Sequence, residues 1–181
     1  VEDVLNACYT ALDADNDTAR AMAARFNRQT HWPVERTIPF TSATKWSAVV
    51  FKGQGAYVIG APEFILGAEY KLLEPMAAPY QAQGCRVLLA AKCETPPVQG
   101  QPLSGVIDPF ALVVINNPIR PEAPDTFRYF AQQGVAVKVI SGDNPATVSQ
   151  VALQAGIEGA ERFVDAGELK EPADYARAVR D

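Results

Sequence analysis

Apolar and polar positions along the 181-residue chain change period several times. Near the start, Val4, Leu5 and Cys8 recur at helical spacing, so residues 2 to 27 read as helix. The polar run DADNDT interrupts it, and Asp17 or Thr18 is placed to cap a second helix over ARAMAARF. From Arg36 the pattern turns β-rich. TIPFTSATKWSAVVF and AYVIGA, joined by KGQG, read as the two arms of a hairpin. APEFIL opens a helix with Pro62 in its first turn and Glu63 at the positive end of the helix dipole. EPMAAPYQAQG reads as a helix closed by Gly84 in a left-handed cap, and CRVLLAAK as a strand. Pro96, Pro97, Gly100, Pro102, Gly105 and Pro109 mark 94–109 as loop, after which FALVVI is a fully apolar strand.

NNPIRPEAP then breaks the chain with three prolines in seven residues, Pro118 to Pro124. Beyond it come DTFRYFAQQG, VAVKVIS and NPATVSQVALQAGI, a helix–strand–helix alternation that implies a parallel α/β sheet. The predicted fold class is therefore α/β. An α+β domain with an antiparallel sheet over 1–116 is followed by part of a Rossmann-like segment over 117–181. No internal repeat or low-complexity stretch stands out.

Composition narrows the possible functions. The net charge is -5 and no Lys/Arg stripe forms, which argues against nucleic-acid binding. No apolar run approaches the roughly 20 residues of a membrane helix, and the N-terminus lacks a signal-peptide layout, so a soluble chain without direct membrane contact is expected. It begins without Met and ends inside a charged, helix-like stretch, which suggests a piece of something longer. Cys8, Cys85 and Cys93 have no CxxC spacing and read as reduced thiols. The single histidine, His31, lies in a loop before Trp32-Pro33, so histidine-based catalysis is not expected, nor is a metal site. No Gly-x(4)-Gly-Lys-Ser/Thr loop occurs.

The turn Ser141-Gly142-Asp143-Asn144 sits where a parallel strand would end and a helix begin. Gly142 lets backbone approach a ligand, Ser141 offers a hydroxyl, and the helix behind presents unpaired N–H groups, with Pro145 suited to its first position. A capped helix after a core strand, with Asp143 or Asn144 as cap, is the competing reading. Ligands of open α/β sheets do bind at the carboxyl ends of strands.

Taken together, RPEAPDTFRYFAQQGVAVKVISGDNPATVSQVALQAGI resembles the phosphorylation domain of P-type cation-transporting ATPases, whose signature there is Thr-Gly-Asp before a helix. Ser141 replaces that threonine and keeps the hydroxyl. The family's Asp-Pro-x-Arg is matched by Asn117-Pro118-Ile119-Arg120. Upstream, PFTSATKWSAVVF is similar to the Phe-x(4)-Lys-x-Ser pattern of the nucleotide-binding domain, GAPEFIL to its Lys-Gly-Ala-Pro-Glu and GCRVLLAA to its Gly-x-Arg-Val-Leu. VKVISGDNPATV and GAERFVDAGEL resemble most a bacterial branch for divalent cations such as calcium or magnesium.

The resemblance implies roles. Phe40 stacks on adenine, Lys45 contacts adenine or phosphate once a bend brings it beside Phe40, and Gly60 lies against the flat ring. Arg86 faces phosphate, and Arg120 acts at a hinge over 116–121. Ser141, Gly142 and Asp143 hold the phosphoryl group being transferred. ATP is the implied ligand, with Mg2+ in the full pump. The implied partners are the rest of the phosphorylation domain, the actuator domain and the transmembrane helices, with this part on the cytoplasmic side of the cell membrane. Three departures matter. Ile59 stands where the family has lysine, Asn117 where it has aspartate, and the glutamate many members carry near the first helices is missing unless Asp17 substitutes. The phosphorylated Asp-Lys-Thr-Gly-Thr and the magnesium-binding Gly-Asp-Gly-x-Asn-Asp do not occur in this sequence. ATP binding without hydrolysis is therefore expected. Lys138, on the strand face of Ile140, is read as structural or exposed. The unfinished sheet of 117–181 is expected to leave an edge prone to self-association or disorder. Two other classes stay open: a haloacid-dehalogenase-like phosphatase, whose Asp-x-Asp has DAD at 13–15 as its only candidate, and a receiver-like interaction domain built on VKVISGD.

Overall fold

A computed structural model describes residues 1–116 and 118–180. The chain divides into two compact units, Val1–Ala77 with Val87–Ile115, and Ala78–Arg86 with Asn116–Asp181.

The first unit is built on five strands in the order β1-β2-β3-β4-β5: Val34–Ile38, Trp46–Phe51, Gly55–Gly60, Arg86–Cys93 and Ile107–Ile115. The pairs β1–β2, β2–β3 and β3–β4 are antiparallel. WSAVVF and AYVIG read as unbroken apolar runs because both faces of the central strands are buried. Period two sorts their side chains into two cores. Val49, Phe51, Tyr57, Ile59, Leu88 and Ala90 face one side, where they meet Leu5, Cys8, Met22 and Phe26 of the N-terminal helices. Trp46, Ala48, Val50, Val58, Leu89 and Ala91 face the other, against Ile65 and Leu66. Each large apolar side chain so buried contributes about 1.5–3 kcal/mol.

The N-terminal helices are α1 (Glu2–Ala11) and α2 (Asp17–Arg25). Asn16 caps α2, accepting from the Ala19 amide at 2.9 Å, rather than Asp17 or Thr18. Buried Asn6 ties α1 to the chain after α2, since its Oδ1 accepts from the Arg28 amide at 2.8 Å. The expected two-arm hairpin is three strands, because Pro39 and the polar 41–45 turn split its first arm into β1 and β2. Helix α3 (Pro62–Leu66) has Pro62 in its first turn, and a 3-10 turn follows over Gly67–Leu72. Helix α4 (Glu74–Gln81) gives way to Gly84 at φ 80°. Strand β5 starts at Ile107, inside the stretch expected to be loop, and carries Pro109 on the edge strand of the sheet, the kind of strand to which proline is confined.

The second unit holds α5 (Ala123–Gln132), α6 (Pro145–Gln154) and α7 (Pro172–Arg180). The strand expected at VAVKVIS is not formed, for a parallel strand needs a ladder partner and no strand lies in 116–180 among the described residues. Val135, Val139 and Ile140 are left 51%, 50% and 93% exposed. Helix α5 likewise buries none of its residues, although Tyr129 and Phe130 share it. Lys138 is exposed as expected.

Candidate functional site

Two of the residues singled out in the first unit are brought to one corner of the sheet. After buried Ile38 the chain turns at Pro39, and Phe40 stands 41% exposed with its ring available. The next residues fold back. The Lys45 amide donates to the Thr41 carbonyl at 2.8 Å, and the Thr44 amide to Thr41 Oγ1 at 3.0 Å. Thr41 and Thr44 also share a hydroxyl–hydroxyl bond of 2.7 Å. Without this bend, five residues of extended chain would turn Phe40 and Lys45 to opposite faces.

Lys45 has φ 60°, the one non-glycine residue with positive φ among the described residues. That conformation costs a side-chain-bearing residue about 1–2 kcal/mol, and such strain persists where surrounding contacts impose it. Here they do. The Lys45 carbonyl accepts from the Ala61 amide at 2.9 Å. A Cβ on Gly60 would lie 2.3 Å from that carbonyl and 2.5 Å from Trp46 Cα, so any side chain there forces the backbone to shift. The bend at 41–45 is thus fastened to the end of β3.

Ile59, next to it, is 3% exposed and packs with the cluster of Cys8, Tyr57 and Leu88. Its register partners are Ser47 and Ala90, so no cation stands at this point of the ladder. Asp17 lies in a local ion pair with Arg20 at 2.6 Å on the exposed first turn of α2. Asp13 and Asp15 lie between α1 and α2 rather than after a strand, the position a phosphatase nucleophile would require.

Glu63 is a residue whose interest the sequence did not reveal beyond its place in GAPE. Its Oε2 is shielded from solvent and has no hydrogen-bond partner, the one such side-chain N or O among the described residues. A cavity of about 680 Å3 opens nearby in chain terms, lined by Trp46, Phe64, Leu66, Glu69, Leu103 and others. Phe40, Lys45, Gly60 and Glu63 do not line it, so size alone does not mark the chemistry.

In the second unit the 141–144 turn is ordered by its own side chains. Ser141 Oγ accepts from the Asp143 amide at 3.1 Å. Asn144 is the cap of α6, taking the Ala146 and Thr147 amides at 3.1 and 3.3 Å, with Pro145 first in the helix. Two of the helix's orphan N–H groups are therefore satisfied from within. Asp143 is left to pair with Arg86, whose guanidinium meets its Oδ2. The same stretch docks on α6 through Gln154, which donates to the Gln83 carbonyl at 3.1 Å, and through Gly84 beside Val151. Arg86 and the Ser-Gly-Asp turn are thereby brought together. Arg120 is exposed ahead of α5, and Asn117 lies outside the described residues. Among the described residues no group of three His, Cys, Asp or Glu could hold a metal ion, and no helix is long and apolar enough to cross a membrane.

Comparison with known proteins decides the family. The model for haloacid dehalogenase-like hydrolases matches residues 1–181. The chain belongs to that family. Within it, the chain is similar to "Calcium-transporting ATPase CtpE" of Mycobacterium tuberculosis, 42% identical over 159 residues, covering 88% of this chain and 20% of that protein. The Mycolicibacterium smegmatis protein of that name is 40% identical over 171 residues, 94% of this chain and 21% of its own length. "Probable cation-transporting ATPase exp7" of Streptococcus pneumoniae is 36% identical over 172 residues, 94% and 22%. The resemblance to P-type ATPases therefore extends over most of this haloacid dehalogenase-like chain, which spans about a fifth of the length of the curated relatives it matches.

Proposed function

We propose that this chain is the ATP-holding part of an ATP-driven P-type cation pump, with residues 1–116 forming its nucleotide-binding domain and 117–181 part of its phosphorylation domain. The observation that carries the reading is the fastening of the 41–45 bend to Gly60. It maintains a strained Lys45 and an exposed Phe40 at the corner where β3 ends. A base stacked on an aromatic ring gains about 1–3 kcal/mol, and the missing side chain at Gly60 lets the Lys45 carbonyl and Trp46 close on the end of β3, which sets the bend beside Phe40. Lys45 supplies a cation for the base or the phosphates. Ser141, Gly142 and Asp143, with Arg86 beside them, receive the phosphoryl group, and Arg120 sits where the chain passes into 117–181.

Binding ATP is the share of the work these residues fit. Phosphoryl transfer needs a nucleophile and a metal to neutralise developing charge, and the described residues offer no metal-holding cluster. Magnesium is thus read as bound in the whole pump with help from other residues. The exposed apolar faces of α5 and 135–140 are read as surfaces covered by further strands and helices of the phosphorylation domain. The cation is proposed to be divalent, calcium first, because proteins similar to this chain include calcium transporters by name. The chain would lie on the cytoplasmic side of the membrane that the pump spans.

Titration with ATP, followed by amide NMR on wild type and Phe40→Ala, tests the reading. The expected result is a Kd on the order of 0.1–10 mM, with shifts over 40–63 that vanish in the variant. No shift at about 10 mM ATP, or binding unaffected by Phe40→Ala, overturns it.

A further inference from the structure

We propose that the cavity of about 680 Å3 in the first unit binds a small organic cation, an ammonium group on an apolar body, and that its occupant bears on the 41–45 bend. Every residue lining it belongs to that unit. Small-molecule sites span roughly 300–1,000 Å3 and are mostly apolar, with a few polar groups that fix orientation. This cavity fits both descriptions. One wall is the stretch from Phe64 to Glu69, and another is the loop from Gly100 into the start of β5. Trp46, Ile65 and Leu66 reach it from the core on the sheet face opposite Ile59. The cavity is thus distinct from the corner of Phe40, Lys45 and Gly60.

Charge selects the ligand. Among the described residues, Glu69 is the one ionisable side chain in the lining, with Thr44 and Gln101 as uncharged polar companions. Its carboxylate forms no ion pair among the described residues. An anion entering here would meet like charge with no cation to offset it, and a neutral molecule would leave the carboxylate unused. An ammonium gains from Glu69 and from the aromatic rings of Trp46 and Phe64, which attract cations at their faces. Leu66, Leu103 and Ile107 supply the surface for the apolar body. The link to the bend is direct. Ala43 and Thr44 line the cavity from within the bend, and Trp46 lines it from just beyond. The Thr44 hydroxyl is the one bonded to Thr41 at 2.7 Å, and it donates to the Trp46 carbonyl at 3.4 Å. Lys45, with its positive φ, stands between these two lining residues. An occupant therefore presses on both flanks of Lys45, whatever Lys45 in turn holds.

The probe is diphenylpropylammonium, with diphenylpropanol and diphenylbutyrate as neutral and anionic counterparts of the same body, each titrated into the chain by amide NMR. The amine is expected to bind with a Kd on the order of 0.1–1 mM. Its shifts should map to 64–69 and 100–107 and include the Lys45 amide. The amine should bind at least about fivefold more tightly than the acid, with the alcohol between them, and about 1 M salt should narrow that gap. In Glu69→Gln the amine and the acid should come within about twofold of each other. Glu69 is exposed, so the substitution leaves the fold intact. No shift up to about 10 mM amine, shifts confined to other parts of the chain, or equal wild-type affinity for the three probes overturns the site. So does a preference for the amine that survives Glu69→Gln. A Lys45 amide that stays unmoved at saturation overturns the link to the bend. All of these readouts are independent of ATP, so failure of the nucleotide reading leaves this test standing, and the reverse holds as well.

Discussion

Replacing Gly60 by alanine tests whether the corner is built as described. The added Cβ would lie 2.3 Å from the Lys45 carbonyl, 2.5 Å from Trp46 Cα and 2.6 Å from Trp46 Cβ. Ordinary contact begins at 3.4 Å, so the start of β2 must retreat by 3.4 − 2.3, or about 1.1 Å. The clashing atoms are backbone and cannot swing aside like the end of a long side chain. That retreat stretches the 2.9 Å bond from the Ala61 amide to the Lys45 carbonyl to about 4 Å, beyond hydrogen-bond range. Overpacking of this kind costs about 1–3 kcal/mol, and the lost bond about 0.5–1.5. The sum is about 2–4 kcal/mol, or roughly 5–15 °C in Tm for a chain of this size. Urea unfolding followed by tryptophan fluorescence reads it directly, because buried Trp46 adjoins the displaced segment. Gly53→Ala is the control, with nothing within 4 Å of its Cβ and only a φ of 73° to oppose the change. A Gly60→Ala loss no larger than that of the control, with an unshifted Lys45 amide, would refute the fastening of the bend to β3.

Four further outcomes are expected. Ile59→Lys places an ammonium in a core position 3% exposed, so it should lower stability by about 2–4 kcal/mol in urea unfolding. Iodoacetamide under native conditions should label Cys85 first, since Cys8 and Cys93 are buried and burial pushes their thiols up to about 12 and about 11. Because burial raises the Cys8 thiol from 9.0 to about 12, its contribution is complete below pH 9 and is lost as pH rises toward 12; urea midpoints should fall across that window, less steeply in Cys8→Ala. Asp143→Asn removes a half-exposed ion pair and should cost no more than about 1 kcal/mol at low salt, with the difference disappearing in about 1 M salt.

The first unit was the more legible part because its strands are buried on both faces. WSAVVF and AYVIG could hardly be anything but central strands, and Pro62 and Gly84 mark element ends by backbone preference alone. The split of the first arm at 39–45 was harder to see. Pro39 and an expected bend before Lys45 hinted at it, but the bend is held by threonine hydroxyls and by Gly60, a contact distant in sequence. The misplaced cap at α2 has a simpler cause, since Asn16, Asp17 and Thr18 are all competent caps one residue apart. VAVKVIS has every local mark of a strand, yet strand formation depends on neighbours that local pattern does not report. At the candidate site, motif spacing pointed to Phe40, Lys45 and Gly60, while the pairing of Arg86 with Asp143 and the unmet oxygen of Glu63 emerge only in three dimensions.

Ile59 links the fold to the chemistry. A lysine at that position on β3 would have to carry its ammonium out of a cluster shared with Cys8 and Leu88. Its four-carbon stem permits that only where the cluster leaves an exit. Isoleucine closes the position, so the proposed site has a packed wall there in place of a cation. If the proposed ATP site holds, the charge for a polyphosphate falls on Lys45, and the base contributes more of the binding through stacking on Phe40. A hydrogen bond to a charged group is worth roughly 1.5–3 kcal/mol, about the gain from one stacked base. Such a site should depend on the stacked base more than on the length of the phosphate chain. AMP and ATP should therefore differ by less than about tenfold in affinity, and a larger gap would place the binding energy back on the phosphates.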